Sequence, residues 1–172
     1  MATYVHTNFK NALAYKMSWG PSASTKTATD TNVLGTTSSY YDSNLNTYLY
    51  LAQKSKHSSQ NTCYAYLSSS NAVLTNENTC PDLIDTFTIS GHDYGVSTFG
   101  NGNTNHTWVI QNTDSNPITV RKIAVYHCKS NNQQVETGNS FYLFYVIDLD
   151  EPVTIGAGEE APISFTFDVT NI

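Results

Sequence analysis

The side chains of this chain that could carry chemistry are chiefly its histidines, because an imidazole can act as a base or bind a metal near neutral pH. They are His6, His57, His92, His106 and His127. His92-Asp93 stands between Gly91 and Gly95 and is the best candidate for a base or ligand, although an exposed turn residue is the favoured interpretation. Neighbouring strand residues point to opposite faces, so His127-Cys128 cannot form a compact two-ligand site, and packing is favoured there too.

A group of carboxylates near the C-terminus is a second candidate. Asp148, Asp150 and Glu151 could bind Ca²⁺ together with backbone oxygens, and alternation places Asp148 and Asp150 on one face. The glycine-rich spacer of a calcium loop is missing, which favours a solvated acidic turn. We therefore predict no metal site and no cofactor.

Three cysteines, Cys63, Cys80 and Cys128, contain no CxxC pair, which argues against zinc. The favoured interpretation is three partly buried small side chains in a reducing compartment. A disulfide between Cys63 and Cys80 is the alternative that the sequence leaves undecided. Gly-x-Ser-x-Gly and Gly-x-x-x-x-Gly-Lys motifs are absent from the sequence, and the serines at 68–70 indicate a loop. We predict no catalytic residues and no enzyme.

Tyrosines support an alternative of another class, a carbohydrate-binding module in which exposed rings stack on sugars. The candidates are Tyr40, Tyr41, Tyr48, Tyr50, Tyr64 and Tyr66. Tyrosine is equally suited to strands and protein interfaces, where one end of the ring is apolar and the other is wet. Packing and interface roles are favoured.

Length and charge limit the other classes. The 172 residues fit a single domain over 1–172, and the net charge of −6, with no basic run longer than Arg121-Lys122, argues against a nucleic-acid partner. The N-terminus lacks the pattern of a secretory signal, and no stretch approaches the roughly 20 apolar residues of a membrane span. We expect synthesis in a cytoplasm and no membrane partner.

The elements that must position these side chains are strands. Residues 141–147 are continuously apolar and rich in β-branched and aromatic types, which predicts a strand covered on both faces. A turn is expected over 148–152. Residues 163–169 alternate apolar and polar side chains, which predicts a half-buried strand. With seven to nine expected strands, the chain is predicted to be an all-β antiparallel sandwich of jelly-roll or immunoglobulin-like type.

The segment 118–128 has an irregular pattern. The apolar residues Ile118 and Val120 occupy even-numbered positions, whereas Ile123 and Val125 occupy odd-numbered ones. A shift of one residue moves side chains to the opposite face of a sheet. The apolar set therefore changes face near Arg121-Lys122, which predicts a β-bulge or a strand that passes between two sheets.

The N-terminal half is less regular. Residues 11–19 favour a strand over a helix, and a further strand is expected at 45–51. In the segment 21–44, 11 of 24 residues are Ser or Thr. Such a segment has too few apolar side chains to fix itself, which predicts a long loop or an arm that becomes ordered on assembly.

Two motifs resemble a known group. Residues 109–126, with Asn112-Thr113 in the turn and Val120-Arg121-Lys122-Ile123 after it, resemble a strand–turn–strand signature common in virion proteins of tailed bacteriophages. Residues 145–159, with Pro152-Val153-Thr154-Ile155 before Gly158-Glu159, are similar to the next signature of that group. The resemblance covers about residues 85–172. Many of those proteins have an acidic residue where this chain has Lys122, a departure expected to affect a surface contact.

The resemblance implies a multicopy, non-enzymatic part of a phage particle, such as a head decoration, head-fibre, tail or connector component. Polar loops beside an apolar sandwich agree with a subunit that docks through loops and strand edges. We predict a structural subunit located in the virion, whose partners are other virion proteins and copies of itself.

Overall fold

The computed structural model describes residues 3–11, 28–31, 35, 37–40, 51–53, 62–91, 103–128 and 141–168. Residues 7–11 are helical, and nearly all other regular structure is strand. The strands are β1 (Thr3–Val5), β2 (Ala28–Thr31), β3 (Thr37–Tyr40), β4 (Leu51–Gln53), β5 (Thr62–Ser68), β6 (Leu83–Ile84), β7 (Phe87–Gly91), β8 (Asn103–Asn112), β9 (Ile118–Cys128), β10 (Phe141–Ile155) and β11 (Glu160–Asp168).

The strands form two packed sheets, which confirms the predicted all-β sandwich. The larger sheet has the order β1-β10-β9-β5-β4, with β6 paired to β5, and the three-stranded sheet has the order β11-β8-β7. All these pairings are antiparallel except β4–β5, which is parallel. Because β8 and β11 lie in one sheet while β9 and β10 lie in the other, the β8–β9 and β10–β11 connections both cross between the layers.

An apolar core fills the space between the two sheets. This inter-sheet core contains Trp108, Ile110, Ile163 and Phe165 of the three-stranded sheet together with residues of β5, β9 and β10. Trp108 packs edge-to-face on Phe165 with ring centroids 4.7 Å apart, an arrangement that aromatic pairs favour. Alternation along β11 holds as predicted, since Ile163 and Phe165 are buried while Ser164 is exposed.

The run 141–147 is buried throughout, which confirms a strand covered on both faces. Tyr145 and Ile147 belong to the inter-sheet core, whereas Phe141, Leu143 and Val146 belong to a second cluster on the far side of the larger sheet. This far-side cluster also contains Tyr66, Cys80, Ala124 and Tyr126. An alternating pattern is absent here because neither face of the strand meets water.

A bulge in β10 lets consecutive side chains point the same way. Leu143 is opposite Tyr126 and Tyr145 is opposite Val125, so Phe144 is the extra residue. Phe9 from the helical segment packs edge-to-face on both Phe144 and Tyr145, with ring centroids 5.6 Å apart in each case. The backbone N–H of His6 donates to the Phe144 carbonyl at 2.9 Å. The N-terminal residues are therefore part of the sandwich.

The face change predicted in β9 is present. Ile118, Val120, Ile123 and Val125 all belong to the inter-sheet core despite their different parity. The change coincides with an irregular register between β9 and β10, where Asp148 pairs with Lys122 but Val153 pairs with Val120. The expected turn over 148–152 is wrong, because β10 continues through these residues and absorbs the extra length as a register shift.

Part of the segment 21–44 is strand: β2 and β3 pair antiparallel from Ala28–Tyr40 to Thr31–Thr37. The side-chain amide of Asn8 donates to the Thr31 carbonyl at 2.8 Å and to the Leu143 carbonyl at 3.1 Å, which connects β2 to the larger sheet. Whether this segment becomes ordered on assembly stays a prediction. Residue 11 is helical, and the other residues of the strand expected at 11–19 lie outside the described part of the chain, as do 45–50.

Candidate functional site

Asn112, at the end of β8, joins the two connections that cross between the sheets. Its side-chain nitrogen donates to the carbonyl oxygens of Asn116 at 2.8 Å, Gly156 at 3.0 Å and Ile155 at 3.1 Å. Its side-chain oxygen accepts from the Asp114 N–H at 2.8 Å. The residue is fully buried, so these bonds replace water entirely. The segments 109–126 and 145–159 contain these two connections.

Backbone contacts reinforce the same junction. The Asn112 N–H donates to the Glu159 carbonyl at 2.9 Å, and the Asn112 carbonyl accepts from the Gly158 N–H at 3.1 Å. Gly158 has a positive φ of 71°, a conformation that glycine adopts without steric cost. The turn that carries Gly158-Glu159 is thereby fixed against the end of β8.

The solvent-facing side of the three-stranded sheet is mostly uncharged. We call it the outer face, and its described side chains are Thr88, Thr107, Val109, Gln111, Glu160, Pro162, Ser164 and Thr166. Cross-strand bonds order it: Thr107 and Ser164 hydroxyls lie 2.9 Å apart, and Thr88 donates to the Gln111 side-chain oxygen at 3.3 Å. Such a flat, low-charge surface is suited to contact with another protein.

Strand β11 forms one edge of the three-stranded sheet among the described residues. Along an antiparallel strand, backbone groups point alternately toward the neighbouring strand and away from it. The Asn112 N–H donates to the Glu159 carbonyl, so the odd-numbered residues of β11 bond to β8. The even-numbered residues of β11 direct their backbone groups outward. Pro162 is even-numbered, so the N–H that proline lacks falls on the outward side. A proline at this position interrupts pairing with a foreign strand without weakening the native sheet.

Lys122 is buried, so the expectation that this position is a surface contact is wrong. Lys122 and Asp148 are paired residues of β9 and β10, and the Lys122 ammonium contacts the Asp148 carboxylate. The exposed fractions of the two side chains are 7% and 42%. Asp148 therefore already has a cationic partner from its own chain, which makes it a poor calcium ligand.

The segment 69–82, which we call the strap, covers the far-side cluster. The Tyr126 hydroxyl accepts from the Cys80 N–H at 2.7 Å and lies 3.2 Å from the Thr79 hydroxyl. Burial raises the pKa of the Tyr126 phenol well above its usual value of 10.0, so the phenol keeps its proton and can donate to Thr79. Tyr126 thereby fixes the strap to the sheet.

The serines at 68–70 have structural partners in this region. Ser68 ends β5 and donates from its hydroxyl to the Pro81 carbonyl at 2.7 Å, and the same oxygen accepts from the Ser70 N–H at 3.1 Å. The Ser70 hydroxyl accepts from the Ala72 N–H at 3.2 Å. These bonds shape the start of the strap, and they agree with the predicted loop.

Three of the candidate histidines belong to the packed interior. His6 is buried, and its Nδ1 accepts from the Asn8 N–H at 3.0 Å. His106 stacks on Phe165 with ring centroids 5.1 Å apart, and burial lowers its pKa below the usual 6.5. His127 is buried and stacks on Phe144 at 5.1 Å. His57 and His92 lie outside the described residues.

The structure describes the side chains of some of the candidate cysteines and tyrosines. Cys80 is a free, buried thiol whose pKa is raised by burial, while the side chains of Cys63 and Cys128 lie outside the described part. Tyr66 is buried against Tyr126, with ring centroids 5.6 Å apart, so it cannot stack on a sugar. The other tyrosines of the suggested platform have side chains outside the described residues.

Asp150 and Glu151 are exposed. Within the described ranges, no group of three or more His, Cys, Asp or Glu side chains is arranged to hold a metal ion. A search of the same ranges for a helix long and apolar enough to cross a membrane finds none.

Sequence reasoning missed the residues that organise this structure: Asn8, Asn112, Lys122 and Tyr126. Each makes its contact with a residue distant in the chain, which no local pattern reveals. The Asn112-Thr113 turn was the one sequence signal that included Asn112. No family model, no curated protein and no solved structure matches this chain.

Proposed function

We propose that this chain is a structural subunit of a bacteriophage virion, a head decoration, head-fibre, tail or connector component that acts through protein–protein contacts. The observation that carries the proposal is the outer face of the three-stranded sheet. Its cross-strand bonds hold Thr107 and Ser164 in fixed positions, and Glu160 is the one charged residue among its described side chains. An ordered, nearly neutral surface loses little solvation when another subunit covers it.

The resemblance to tailed-phage virion proteins gives a second line of support. The residues that carry it form the two connections between the sheets, which Asn112 joins. The resemblance therefore concerns the part of the chain that fixes how the two sheets are aligned. A multicopy subunit needs such rigidity, since each copy must present the same surface to its neighbours.

The direct test is to locate the protein. Phage particles are purified from cells that express a tagged copy of the chain, and their proteins are quantified by mass spectrometry while the tag is located by electron microscopy. The proposal expects many copies at a regular position in the particle. A chain that stays in the cell lysate and is missing from purified particles would show that the proposal is wrong.

Hydrogen exchange tests the suggested assembly arm. Backbone ordering costs about 1–2 kcal/mol per residue, so a polar segment needs a neighbour's surface to become ordered. We expect amide protection over 21–44 to rise when the free subunit is incorporated into particles. Equal protection in both forms would show that 21–44 is not an assembly arm. The role as a virion subunit would still be decided by the localisation experiment.

A further inference from the structure

Lys122 and Asp148 face each other directly across two central strands of the larger sheet. Their backbones are register partners between β9 and β10, and Lys122 Nζ contacts Asp148 Oδ1. On its other side, Lys122 is the register partner of Ser68 in β5. The lysine is thus held between two strands, with 7% of its side chain exposed.

These surroundings satisfy an ammonium group poorly. An ammonium carries three N–H donors, and within the described part of the chain the Asp148 carboxylate is the one acceptor that Lys122 contacts. Water has little access to a side chain that is this deeply buried. Leaving donors of a charged group unsatisfied in the interior costs several kcal/mol, roughly. An amide nitrogen carries a single N–H and no charge, which suits the site better.

We propose that Lys122 and Asp148 form an intramolecular isopeptide bond. In the first step the ammonium transfers a proton to the carboxylate, which gives a neutral amine beside a carboxylic acid. The amine nitrogen then attacks Cγ of Asp148 and forms the C–N bond. The acid's C–O bond breaks, the hydroxyl leaves with a proton from nitrogen, and one water molecule is released. The reaction needs no oxidant, reductant or cofactor.

The sheet supplies the conditions for this condensation. The fixed register holds both groups in contact, and intramolecular reactions between well-oriented groups reach effective concentrations of about 10⁵ M or more. Asp148 is partly exposed, so the released water has a route to solvent. The bond would lie where β10 shifts register between Asp148 and Val153, and would lock the two strands at that point.

The neighbouring thiol does not compete with the amine. The charges of Lys122 and Asp148 both act on Cys80, so its thiol lies close to the pair, yet burial is the largest effect and raises the thiol pKa. Cys80 therefore stays protonated, and a neutral thiol is a weak nucleophile. Cys80 cannot provide the second counter-ion that a permanent ammonium would need.

Intact-mass spectrometry of the purified full chain, reduced and denatured, tests the proposal. We expect the measured mass to be lower than the sequence mass by one water molecule, after allowing for removal of Met1. Proteolysis followed by fragment spectra is expected to join the peptide that contains Lys122 to the peptide that contains Asp148. A full sequence mass, or a water loss located at another residue, would overturn the proposal.

Two variants and a control make the result specific. Lys122→Arg keeps the positive charge but provides no amine, and Asp148→Ala removes the acyl group, so both are expected to have the full mass. Lys10→Arg changes an exposed lysine and is expected to retain the water loss. A water loss that persists in Lys122→Arg would contradict the proposal. None of these outcomes depends on where the protein functions.

Discussion

The side-chain nitrogen of Asn112 donates to the carbonyl oxygen of Ile155 at 3.1 Å, across a sequence separation of 43 residues. Asn112 is the last residue of β8, just before the β8–β9 connection, and Ile155 is the last residue of β10, just before the β10–β11 connection. A single buried amide thereby keeps both connections in a fixed relation. The substitution of this one residue therefore tests whether the alignment of the two sheets depends on it.

Replacing Asn112 with Ala is expected to destabilise the fold by about 2–4 kcal/mol. The substitution removes the three bonds that the Asn112 side chain donates and the one that it accepts from the Asp114 N–H, at about 1 kcal/mol for each. Urea unfolding followed by circular dichroism measures the change. Asn116→Ala is the control, because Asn116 is exposed and its side chain contacts only Asp114 and Ser115. An equal loss of stability in both variants would refute the special role of Asn112.

Removing the Tyr126 hydroxyl is expected to loosen the strap. Tyr126→Phe keeps the ring that packs on Tyr66 but leaves the buried Cys80 N–H without its acceptor. Leaving a buried donor unsatisfied costs about 1–3 kcal/mol. Hydrogen exchange is expected to rise over 69–82, with little change in β11.

Tyr4→Phe is the matched control for this prediction. The Tyr4 hydroxyl also reaches the strap, at the Glu77 carbonyl, but the distance is 3.5 Å and the residue is only partly buried. Its loss is expected to cost less than about 1 kcal/mol. If Tyr4→Phe exposed the strap as strongly as Tyr126→Phe does, the hydroxyl of Tyr126 would not be what fixes the strap.

Stability is expected to fall as the pH drops below about 6.5, through His106 among other groups. Burial lowers the pKa of His106 in the folded chain, so the unfolded chain binds a proton at a higher pH than the folded chain does. The stabilising contribution is complete above the usual pKa of 6.5 and declines as the pH falls toward the lowered value. Unfolding by urea between about pH 7 and pH 5 measures this slope.

His106→Phe is expected to reduce that slope while keeping a ring against Phe165. Some dependence should remain, because other groups that titrate in this range also contribute. The Asp114 carboxyl acts in a separate, more acidic range, since hydrogen bonds from Asn116 hold its pKa below the usual 3.8. An unchanged slope in the variant would show that His106 does not contribute.

The layer architecture was predictable because it depends on local composition. Seven consecutive apolar residues at 141–147 indicate burial on both faces, and the change of parity between Val120 and Ile123 indicates a register defect. Both features follow from which side chains avoid water. The sequence pattern could not reveal that the register with β10 shifts between Asp148 and Val153, because that depends on which strand pairs with 118–128.

The polar contacts were not predictable for a related reason. Arg121 and Lys122 are adjacent cations, and nothing in the neighbouring sequence distinguishes them. In the structure, Lys122 is buried and Arg121 is only partly buried. The register with β10 decides which of them faces the strap and meets Asp148. Asn112 and Tyr126 likewise look like ordinary turn and strand residues, since Ile155, which Asn112 contacts, and Cys80, which Tyr126 contacts, are more than 40 residues away in the chain.

If the chain is the virion subunit proposed above, Ser164→Arg is expected to lower its incorporation into phage particles. The change puts a bulky charge on the outer face and breaks the hydroxyl pair with Thr107, so a covering partner would have to desolvate the guanidinium. Because Ser164 is exposed, the fold should be retained, with a stability change of about 0.5 kcal/mol or less. Competition between tagged wild-type and variant chains, quantified in purified particles, measures the effect.

Thr154→Arg is the matched control. Like Ser164, Thr154 is exposed, lies on a strand and pairs through its hydroxyl with a residue of the neighbouring strand, Thr119, at 3.0 Å. Thr154 belongs to the larger sheet, however. If neighbouring subunits contact the outer face of the three-stranded sheet, Thr154→Arg should be incorporated as well as the wild type. Ser164→Arg should then be depleted several-fold, because burying an unpaired charge costs more than about 1 kcal/mol. Equal incorporation of the two variants would mean that particles contact another surface of this chain.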